Sequence, residues 1–468
     1  MSWLLKHSPA LTAASAICAQ LRAVGHLAYF AGGCVRDLLL GRDPKDFDVA
    51  TSATPAQVTQ LFQDTIQVGA HFGVILVLQD VDEGARVSTE VATFRHDGVY
   101  LDGRRPDQVR FSLSPAEDVE RRDFTINGML LDPSLRFPLD SQTWTVPEAA
   151  ILDLVGGRAD LAARLIRTIG SPAQRFQEDK LRMLRGIRFA ARLGFEIHPA
   201  TLAAMQQHAP AISQVSQERV RDELSLMLTE GHASRAFELL DQASLLAEIL
   251  PEATRLHGVA QPPEWHPEGD VWVHTMLLLQ KLHPGCSLTL AWGALLHDIG
   301  KPATYQVEPV TNRIRFNGHV EVGVRIAEDI LARLRFSNDD STQILALIKN
   351  HMRFGDVRSM KESTLRRFLR LPHFAEHLEL HWLDCTSCHN RLELYHFTKA
   401  RFEAEPEPDN RPAPLLTGRD LIFTGYRPGI PFKAMLEAAE DAQLEHRITS
   451  RDQALALVAS LFGPPPTN

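Results

Sequence analysis

The chain has little of what marks an exported or membrane-embedded protein. Only five cysteines stand in 468 residues, at Cys18, Cys34, Cys286, Cys385 and Cys388. They are too few and too scattered for a disulfide framework, so reduced thiols are expected. No apolar run reaches the ~20 residues of a membrane-spanning helix. Met1 to Gln20 carries one lysine and a weak helical apolar pattern. It lacks the charged start, long apolar middle and small-residue cleavage site of a secretory signal. A cytoplasmic protein with no membrane partner is therefore expected. A surplus of positive charge is also missing. The net charge is −9, which argues mildly against nucleic-acid binding, since phosphates attract Lys and Arg. Internal repeats and extended low-complexity tracts are absent as well.

What is present is organised in blocks. Hydrophobic residues at 44% and charged residues at 23% fit a soluble globular chain. The length exceeds one ordinary core and predicts three or four domains. The acidic average hides a basic stretch. Arg158, Arg164, Arg167, Arg175, Lys180, Arg182, Arg185, Arg188 and Arg192 face only Asp160, Glu178 and Asp179. An acidic protein can bind RNA along one such stripe. From Ala28 to about Leu131, β-rich runs such as Gly73–Leu78 and Val87–Phe94 alternate with helical stretches and turns, which reads as an α/β domain. From about Asp153 to Leu250 the strands give way to helical periodicity, as in Glu178–Leu193 and Gln217–Leu228. Gln261–Pro267 is a proline-marked loop near a domain boundary. Helices resume from Asp270 to about Phe402. Glu403–Pro414 reads as a linker, and Arg419–Phe462 as a last helical segment. The expected divisions are 1–140, 141–255, 256–402 and 403–468.

The most informative stretch runs from Phe30 to Val49. Gly32 and Gly33 precede a short helix, and glycines let backbone approach a phosphate at a helix N-terminus. Asp46-Phe47-Asp48 follows. On a strand, residues two apart share a face, so both carboxylates would point one way and could share metal ions. Two metals clamping attacking and leaving oxygens suit phosphoryl transfer. Asp-x-Asp alone is common on solvated edges, and Gly-Gly alone is as weak. Their spacing, followed by a strand carrying Glu90, is much more specific.

This combination resembles the nucleotidyltransferase superfamily that includes DNA polymerase β. Gly32–Gly41 with Lys45–Thr51 is similar, more narrowly, to the class II tRNA nucleotidyltransferases and the related bacterial poly(A) polymerases. Four further blocks agree in order: Glu90–Arg95 with Asp97–Tyr100 and Gly103–Pro106, then Arg121–Asn127, then Asp153–Gly157 with Asp160-Leu161, then Glu178–Arg182 with Arg185. The resemblance is dense over roughly residues 28 to 200. It implies an N-terminal polymerase-β-like head, a helical neck and body, a helical HD domain and a helical tail. Asp46, Asp48 and Glu90 are then the catalytic carboxylates, with Asp46 and Asp48 holding Mg2+. Gly32, Gly33, Arg36, Arg122, Asp123, Asn127, Asp179, Arg182 and Arg185 are the nucleotide-binding candidates, with Arg122 and Asp123 near the ribose. Glu178, Asp179, Arg182 and Arg185 stand at helical spacings of three and four, on one side of a helix. In isolation they would be an exposed ion-pair ladder. In the family, the Asp and Arg of this motif pair with incoming CTP or ATP, so the protein serves as template.

A second constellation follows. His274, His297-Asp298, His319, His351 and Asp384 fall in helical surroundings, and imidazole and carboxylate suit divalent metals. The run His297-Asp298-Ile299-Gly300-Lys301-Pro302, with His266–Thr275 upstream, resembles the HD phosphohydrolase superfamily. That resemblance implies His274, His297, Asp298 and Asp384 as ligands of a divalent metal, with His319 and His351 as extra ligands or phosphate contacts. Cys385-Thr386-Ser387-Cys388-His389 matches a haem-attachment pattern, but covalent haem is attached outside the cytoplasm, and the segment reads as part of a helix beside Asp384.

The expected function is addition of CCA to the 3′ end of tRNA from CTP and ATP, with an additional HD phosphohydrolase activity. A-only addition and poly(A) synthesis share the same head. A chain that is mainly an HD phosphohydrolase, or a non-catalytic RNA-binding protein with a broken metal motif, belongs to other classes. The flexible-loop segment Asp97–Pro106 looks intact and disfavours CC-only addition. Gly69–Gly73 is closer to the tRNA enzymes than to poly(A) polymerases. The short Gly418–Leu421 and Gly425–Gly429 turns resemble the family tail and read mainly as packing.

Overall fold

A computed structural model of the chain describes residues 2–69, 73–81, 85–97, 109–140, 142–404 and 413–465. The flexible-loop match therefore lies almost wholly outside the described residues, as do most of the Glu403–Pro414 linker and the centre of the Gly69–Gly73 segment. The chain divides into two units, Met1–Thr254 and Arg255–Asn468. Among the described residues, no helix is long and apolar enough to cross a membrane.

The first unit is built on a seven-stranded sheet. Its strands are β1 (Ala28–Ala31), β2 (Asp48–Thr51), β3 (Thr65–Gly69), β4 (Val74–Val81), β5 (Ala85–Thr93), β6 (Met129–Leu131) and β7 (Ile151–Asp153). They lie in the order β7-β6-β1-β2-β5-β4-β3. β2 and β5 run parallel, and the other neighbours are antiparallel. The β-rich runs of the sequence become β4 and β5. The sheet also takes in β7, which lies past residue 140, where the head was expected to end. The N-terminus is not helical throughout. Ser2–Lys6 is a strand paired with Thr143–Pro147, and the helix begins at Pro9, with the Ser8 hydroxyl capping Leu11 N–H at 3.1 Å. Such a cap contributes about 1 kcal/mol. This Pro9–Ala23 helix buries Leu11, Ala14, Ile17, Cys18 and Leu21 against the sheet.

Helices follow the sheet, at Pro172–Glu178, Leu181–Leu193, Pro199–His208, Gln217–Thr229 and Ala233–Gln242. Two short strands, Leu165–Ile166 before these helices and Glu196–Ile197 within the run, form a parallel pair. The expected single helix from Glu178 to Leu193 is in fact broken. Asp179 is extended (φ −142°, ψ 108°), and its carboxylate accepts the Leu181 N–H at 3.0 Å. Aspartate competes with the helix by such local bonds. Arg188 and Glu223, both nearly buried and 2.8 Å apart, tie the Leu181–Leu193 helix to the Gln217–Thr229 helix.

Among its described residues, the second unit is helical apart from a small hairpin at Gln306–Val307 and Ile314–Arg315. Its central helix, Leu288–Leu296, is buried continuously from Leu290 to Leu296. A helix apolar on all sides belongs inside a core. Around it stand Val271–Gln280, Asn338–Asn350 and Phe374–Ser387, and His319–Arg333 packs on Asn338–Asn350. The tail forms three helices, Gly418–Phe423, Pro431–Leu444 and Arg451–Phe462, around a small core that includes Leu421, Tyr426, Met435 and Ala442.

Candidate functional sites

Two cavities adjoin in the first unit and share Asp48, Arg121 and Arg122. The larger, about 500 Å³, is lined by Gly32, Gly33, Arg36, Asp123, Asn127, Asp179, Arg182, Arg185, Phe189 and Arg219 besides these three. Every residue expected to bind nucleotide is therefore on its wall. The smaller, about 290 Å³, adds Glu90 and Arg95.

Asp48 opens β2, and Asp46 lies two residues before it, on the approach rather than in the strand. The alternation still holds, since Phe47 is buried while both aspartates are exposed. β2 and β5 are parallel with Val49 opposite Val91, so Asp48 and Glu90, one step earlier on each, stand side by side. Packing around the Asp48 carboxyl and the neighbouring charge of Glu90 push its pKa up to about 6, with Arg122 opposing and Asp46 adding to the rise. Three carboxylates converge here with Arg122 beside them, and such a cluster fits a divalent metal site. Cys34 sits behind this cluster, and burial followed by the Asp48 charge push its thiol up to about 12. It is therefore unreactive at neutral pH.

The glycine turn serves the same wall. Gly32 has φ 74° and ψ −126°, and a side chain there would meet Arg122 Nη1 at 3.4 Å. Arg36 is buried and donates to Asn127 at 2.8 Å. Asn127 in turn donates to Asp123 at 3.2 Å, and Arg185 donates to the other Asp123 oxygen at 3.0 Å. Burial would raise the Asp123 carboxyl, but Arg185 holds it below its ordinary range. This relay joins the turn to the helix that carries Arg182.

The Glu178–Arg185 set is brought together, though not along one helix face. Glu178 ends one helix and Arg182 lies in the first turn of the next, and they pair across the break at 2.6 Å. Arg182 also donates to the Arg121 carbonyl at 3.0 Å. Asp179 sits in the break, where Arg219 Nη2 reaches its second oxygen at 3.1 Å. Arg219 carries no local sequence signal, because it comes from a separate helix. Arg219→Ala is expected to raise KM for the nucleotide about tenfold while kcat changes less. A charge-assisted hydrogen bond contributes roughly 1.5–3 kcal/mol. Steady-state kinetics with each nucleotide decide the matter, and an unchanged KM would remove Arg219 from nucleotide positioning.

The second unit holds the other cluster. His297 ends the Leu288–Leu296 helix, and Asp298 follows it into the core. His274 Nε2 lies 3.2 Å from Asp384 and 4.0 Å from Asp298. His297 Nε2 lies 3.2 Å from Asp298 Oδ2. His319 Nε2 and His351 Nε2 each lie 3.8 Å from Asp298 Oδ1. All six candidates thus converge. Gly300 makes this possible, since a side chain there would strike the His319 carbonyl at 2.1 Å. The buried Nε2 atoms of His274 and His297 have no well-aligned hydrogen-bond partner, which fits metal-ligating nitrogens. The Nδ1 atoms are anchored elsewhere, His274 to Glu268 at 2.8 Å and His297 to the Ala294 carbonyl at 2.9 Å. Such partners orient a metal-binding imidazole. Burial would raise Asp298, but Lys301 and His297 hold it well below the carboxylate range. Burial would lower His274, yet Asp384 and Glu268 push it up to about 9. Glu268, Lys301 and Gln261 had no role assigned from sequence. Lys301 reaches Asp298 at 2.7 Å and Gln261 at 2.7 Å, and its spacing of three from Asp298 was the available signal. Cys385 and Cys388 are free thiols near the end of the Phe374–Ser387 helix, with Cys385 facing His381 at 3.7 Å.

Three family models match the chain. Residues 28–167 match the poly A polymerase head domain, 194–256 a probable RNA- and SrmB-binding site of polymerase A, and 271–376 the HD domain. A CCA-adding enzyme of Bacillus pumilus is 41% identical over 277 residues, which are 59% of this chain and 60% of that protein. One from Streptococcus suis is 46% identical over 200 residues, 43% of this chain and 45% of that protein. The matched stretch thus spans about half the length of these curated relatives. The solved structure of a Bacillus stearothermophilus CCA-adding enzyme in complex with CTP has a TM-score of 0.69 at 26% identity, covering 97% of this chain and 98% of that one. By its head, its RNA-binding segment and its HD domain, this chain belongs to the tRNA nucleotidyltransferase and poly(A) polymerase family.

Proposed function

We propose that the chain adds C, C and A to the 3′ end of tRNA from CTP and ATP. One observation carries the reading: a single cavity of about 500 Å³ places the Asp48 carboxylate on one wall and Asp179 with Arg182 on another. Its size suits a nucleotide. Relatives bearing the name CCA-adding enzyme, one of them solved with CTP, support it.

Asp46 and Asp48 would hold divalent cations, with Mg2+ the expected ion, and these would neutralise triphosphate charge and activate the attacking hydroxyl. The RNA 3′-oxygen bonds to the α-phosphorus while the bond from that phosphorus to the β-phosphate's bridging oxygen breaks, and pyrophosphate leaves. Glu90, beside Asp48, takes the hydroxyl proton. Arg121 and Arg122 line both cavities and supply positive charge to the phosphates. Glu178 fixes the Arg182 guanidinium, and Arg219 fixes the Asp179 carboxylate. A held acceptor beside a held donor can read a base edge. Positioning and charge neutralisation then supply most of the acceleration.

The test uses purified protein, magnesium and tRNAs ending before CCA, after C and after CC, each with CTP, ATP or both. Completion of all three substrates supports the proposal. Extension only of the tRNA ending in CC, with ATP, assigns A-only addition. Long adenylate tails on any RNA assign poly(A) synthesis.

The HD cluster supports a second activity, metal-dependent hydrolysis of phosphoesters. His297→Ala is expected to abolish phosphate release from a 2′,3′-cyclic nucleotide or an aryl phosphate in the presence of Mn2+, Co2+ or Ni2+, while nucleotide addition continues. Release unchanged in that variant would place the activity elsewhere.

A further inference from the structure

We propose that Trp265, with Arg391 over its ring, is a stacking platform for the nucleobase of the phosphoester hydrolysed in the second unit. The inference rests on the hydrolase reading of that unit, and it assigns Trp265 as a specificity-determining residue.

The loop Gln261–Pro267 is fastened at both ends. At its start, the buried Gln261 side-chain oxygen accepts from Lys301 Nζ at 2.7 Å, and Lys301 reaches Asp298 at 2.7 Å. Near its end, His266 Nδ1 and His274 Nδ1 share Glu268 Oε1, at 2.9 and 2.8 Å. The His266 and His274 rings lie 5.0 Å apart. Between these ties the backbone turns tightly. The Trp265 and His266 N–H groups both donate to the Pro262 carbonyl, at 3.1 and 2.9 Å. Pro262, Pro263 and Pro267 fix φ and leave the loop few other conformations. Trp265 is therefore held by a stiff loop, one residue from His266.

A tryptophan gains by burial, yet Trp265 is 50% exposed. Its neighbours leave it a surface rather than a core. The Arg391 guanidinium stands over the ring, 4.7 Å from the centroid. The His389 ring meets it near a right angle, with centroids 5.8 Å apart. The Arg391 N–H donates to His389 Nδ1 at 3.0 Å, so these two residues position each other. Cys388, just before His389, has its sulfur within 4.8 Å of ligand atoms of His266 and His274. The turn after Phe374–Ser387 thus brings His389 and Arg391 to the same rim as Trp265. Two sequence features that had no function, the proline-marked loop and the Cys-x-x-Cys-His run, meet there.

This surface suits a nucleobase. Every base has a π face, so stacking on an aromatic side chain selects for the presence of a base and not for its identity. A guanidinium over the ring adds a cation–π contact that stiffens the platform. An alkyl phosphate has nothing to stack. A free nucleotide and the terminal nucleotide of an RNA offer the same chemistry.

The experiment uses the full chain with Mn2+ and three phosphoesters: 2′,3′-cyclic AMP, a short RNA ending in a 2′,3′-cyclic phosphate, and glycerol 2-phosphate, which has no base. Trp265→Ala is expected to raise KM for the base-bearing substrates about tenfold, with kcat and glycerol 2-phosphate hydrolysis unchanged. Trp265→Tyr is expected to recover most of the loss. A rise confined to the cyclic nucleotide assigns free nucleotides as the ligand, and one confined to the RNA assigns its terminus. An unchanged KM for both, or an equal loss on glycerol 2-phosphate, would overturn the platform. Quenching of tryptophan fluorescence by adenosine 3′-monophosphate gives a reading apart from turnover, since no tryptophan lines either head cavity. Wild-type quenching that Trp265→Phe removes is the expected result, and it decides where Trp265→Ala fails to fold. That result without hydrolysis of any substrate would overturn the hydrolase reading alone. Absent quenching in the wild type, or equal quenching in Trp265→Phe, would overturn the platform alone.

Discussion

Asp48→Asn is expected to slow nucleotide addition by about a thousandfold or more without unfolding the chain. A metal ion at a phosphoryl-transfer site supplies several kcal/mol of charge stabilisation, and each ~1.4 kcal/mol is a factor of ten in rate. Asp48 is the carboxylate that lines both head cavities, with Glu90 beside it. The effect on stability has the opposite sign from that of an ordinary active-site truncation. Desolvation of its carboxyl by the surrounding groups and the Glu90 charge raise Asp48 to about 6. Between its unfolded value and pH 6 the folded state binds more protons than the unfolded state, so stability falls as pH rises through that window. Asparagine carries no such charge. At pH 7 the variant should therefore unfold at the same temperature as the wild type or slightly higher. Single-turnover extension of tRNA, followed on a gel beside a thermal melt, reads both effects. A well-folded Asp48→Asn protein that extends tRNA normally would sink the assignment of the head. In the wild type, Mg2+ affinity should weaken as pH drops through 6, because a protonated Asp48 is a poor ligand.

How much of this was legible depended on range along the chain. Asp46, Asp48 and the Gly32-Gly33 turn were legible because two-residue alternation and a tight turn are local properties. His297-Asp298 was legible for a similar reason, as it caps an unmistakably apolar helix. The break at Asp179 was not. Glu178 through Leu193 contains no proline, its one glycine lies beyond the break, and helical preference runs across it. The break comes from the Asp179 carboxylate, which caps Leu181 and meets Arg219 from another helix. It changes where the Asp179 carboxylate stands, in a backbone notch instead of on a helical face. Ser2–Lys6 and β7 escaped for a related reason. The first pairs with Thr143–Pro147 and the second with β6, and such short strands carry too few residues for periodicity to register. The resemblance named the members of the HD cluster. Which Asp298 oxygen faces which histidine needed coordinates.

Asp118→Ala is expected to damage both stability and function, although Asp118 touches neither cavity. The carboxylate is fully buried. Oδ1 accepts from Arg121 at 2.9 and 2.6 Å, and Oδ2 from Arg122 at 3.2 and 2.8 Å. It thus sets the direction of both guanidiniums on the cavity wall. Removing one partner of a buried ion pair typically costs about 3–5 kcal/mol, since the remaining charge keeps its desolvation penalty. The two arginines retain some solvent contact, which favours the lower end. Burial would raise the Asp118 carboxyl, but the two guanidiniums hold it below the ordinary range. A depressed carboxylate stabilises the fold at pH above its unfolded value and loses that contribution as pH falls toward its folded value. The wild type should therefore lose stability steeply in acid, and the Asp118→Ala midpoint should depend less on pH there. Urea unfolding of both proteins at pH 7 and at several acid values measures the difference. Residual folded Asp118→Ala protein should also show a raised KM for the nucleotide, since Arg122 would no longer be held against the Gly32 turn. An unchanged urea midpoint at pH 7 would show that the two arginines hold their places without Asp118.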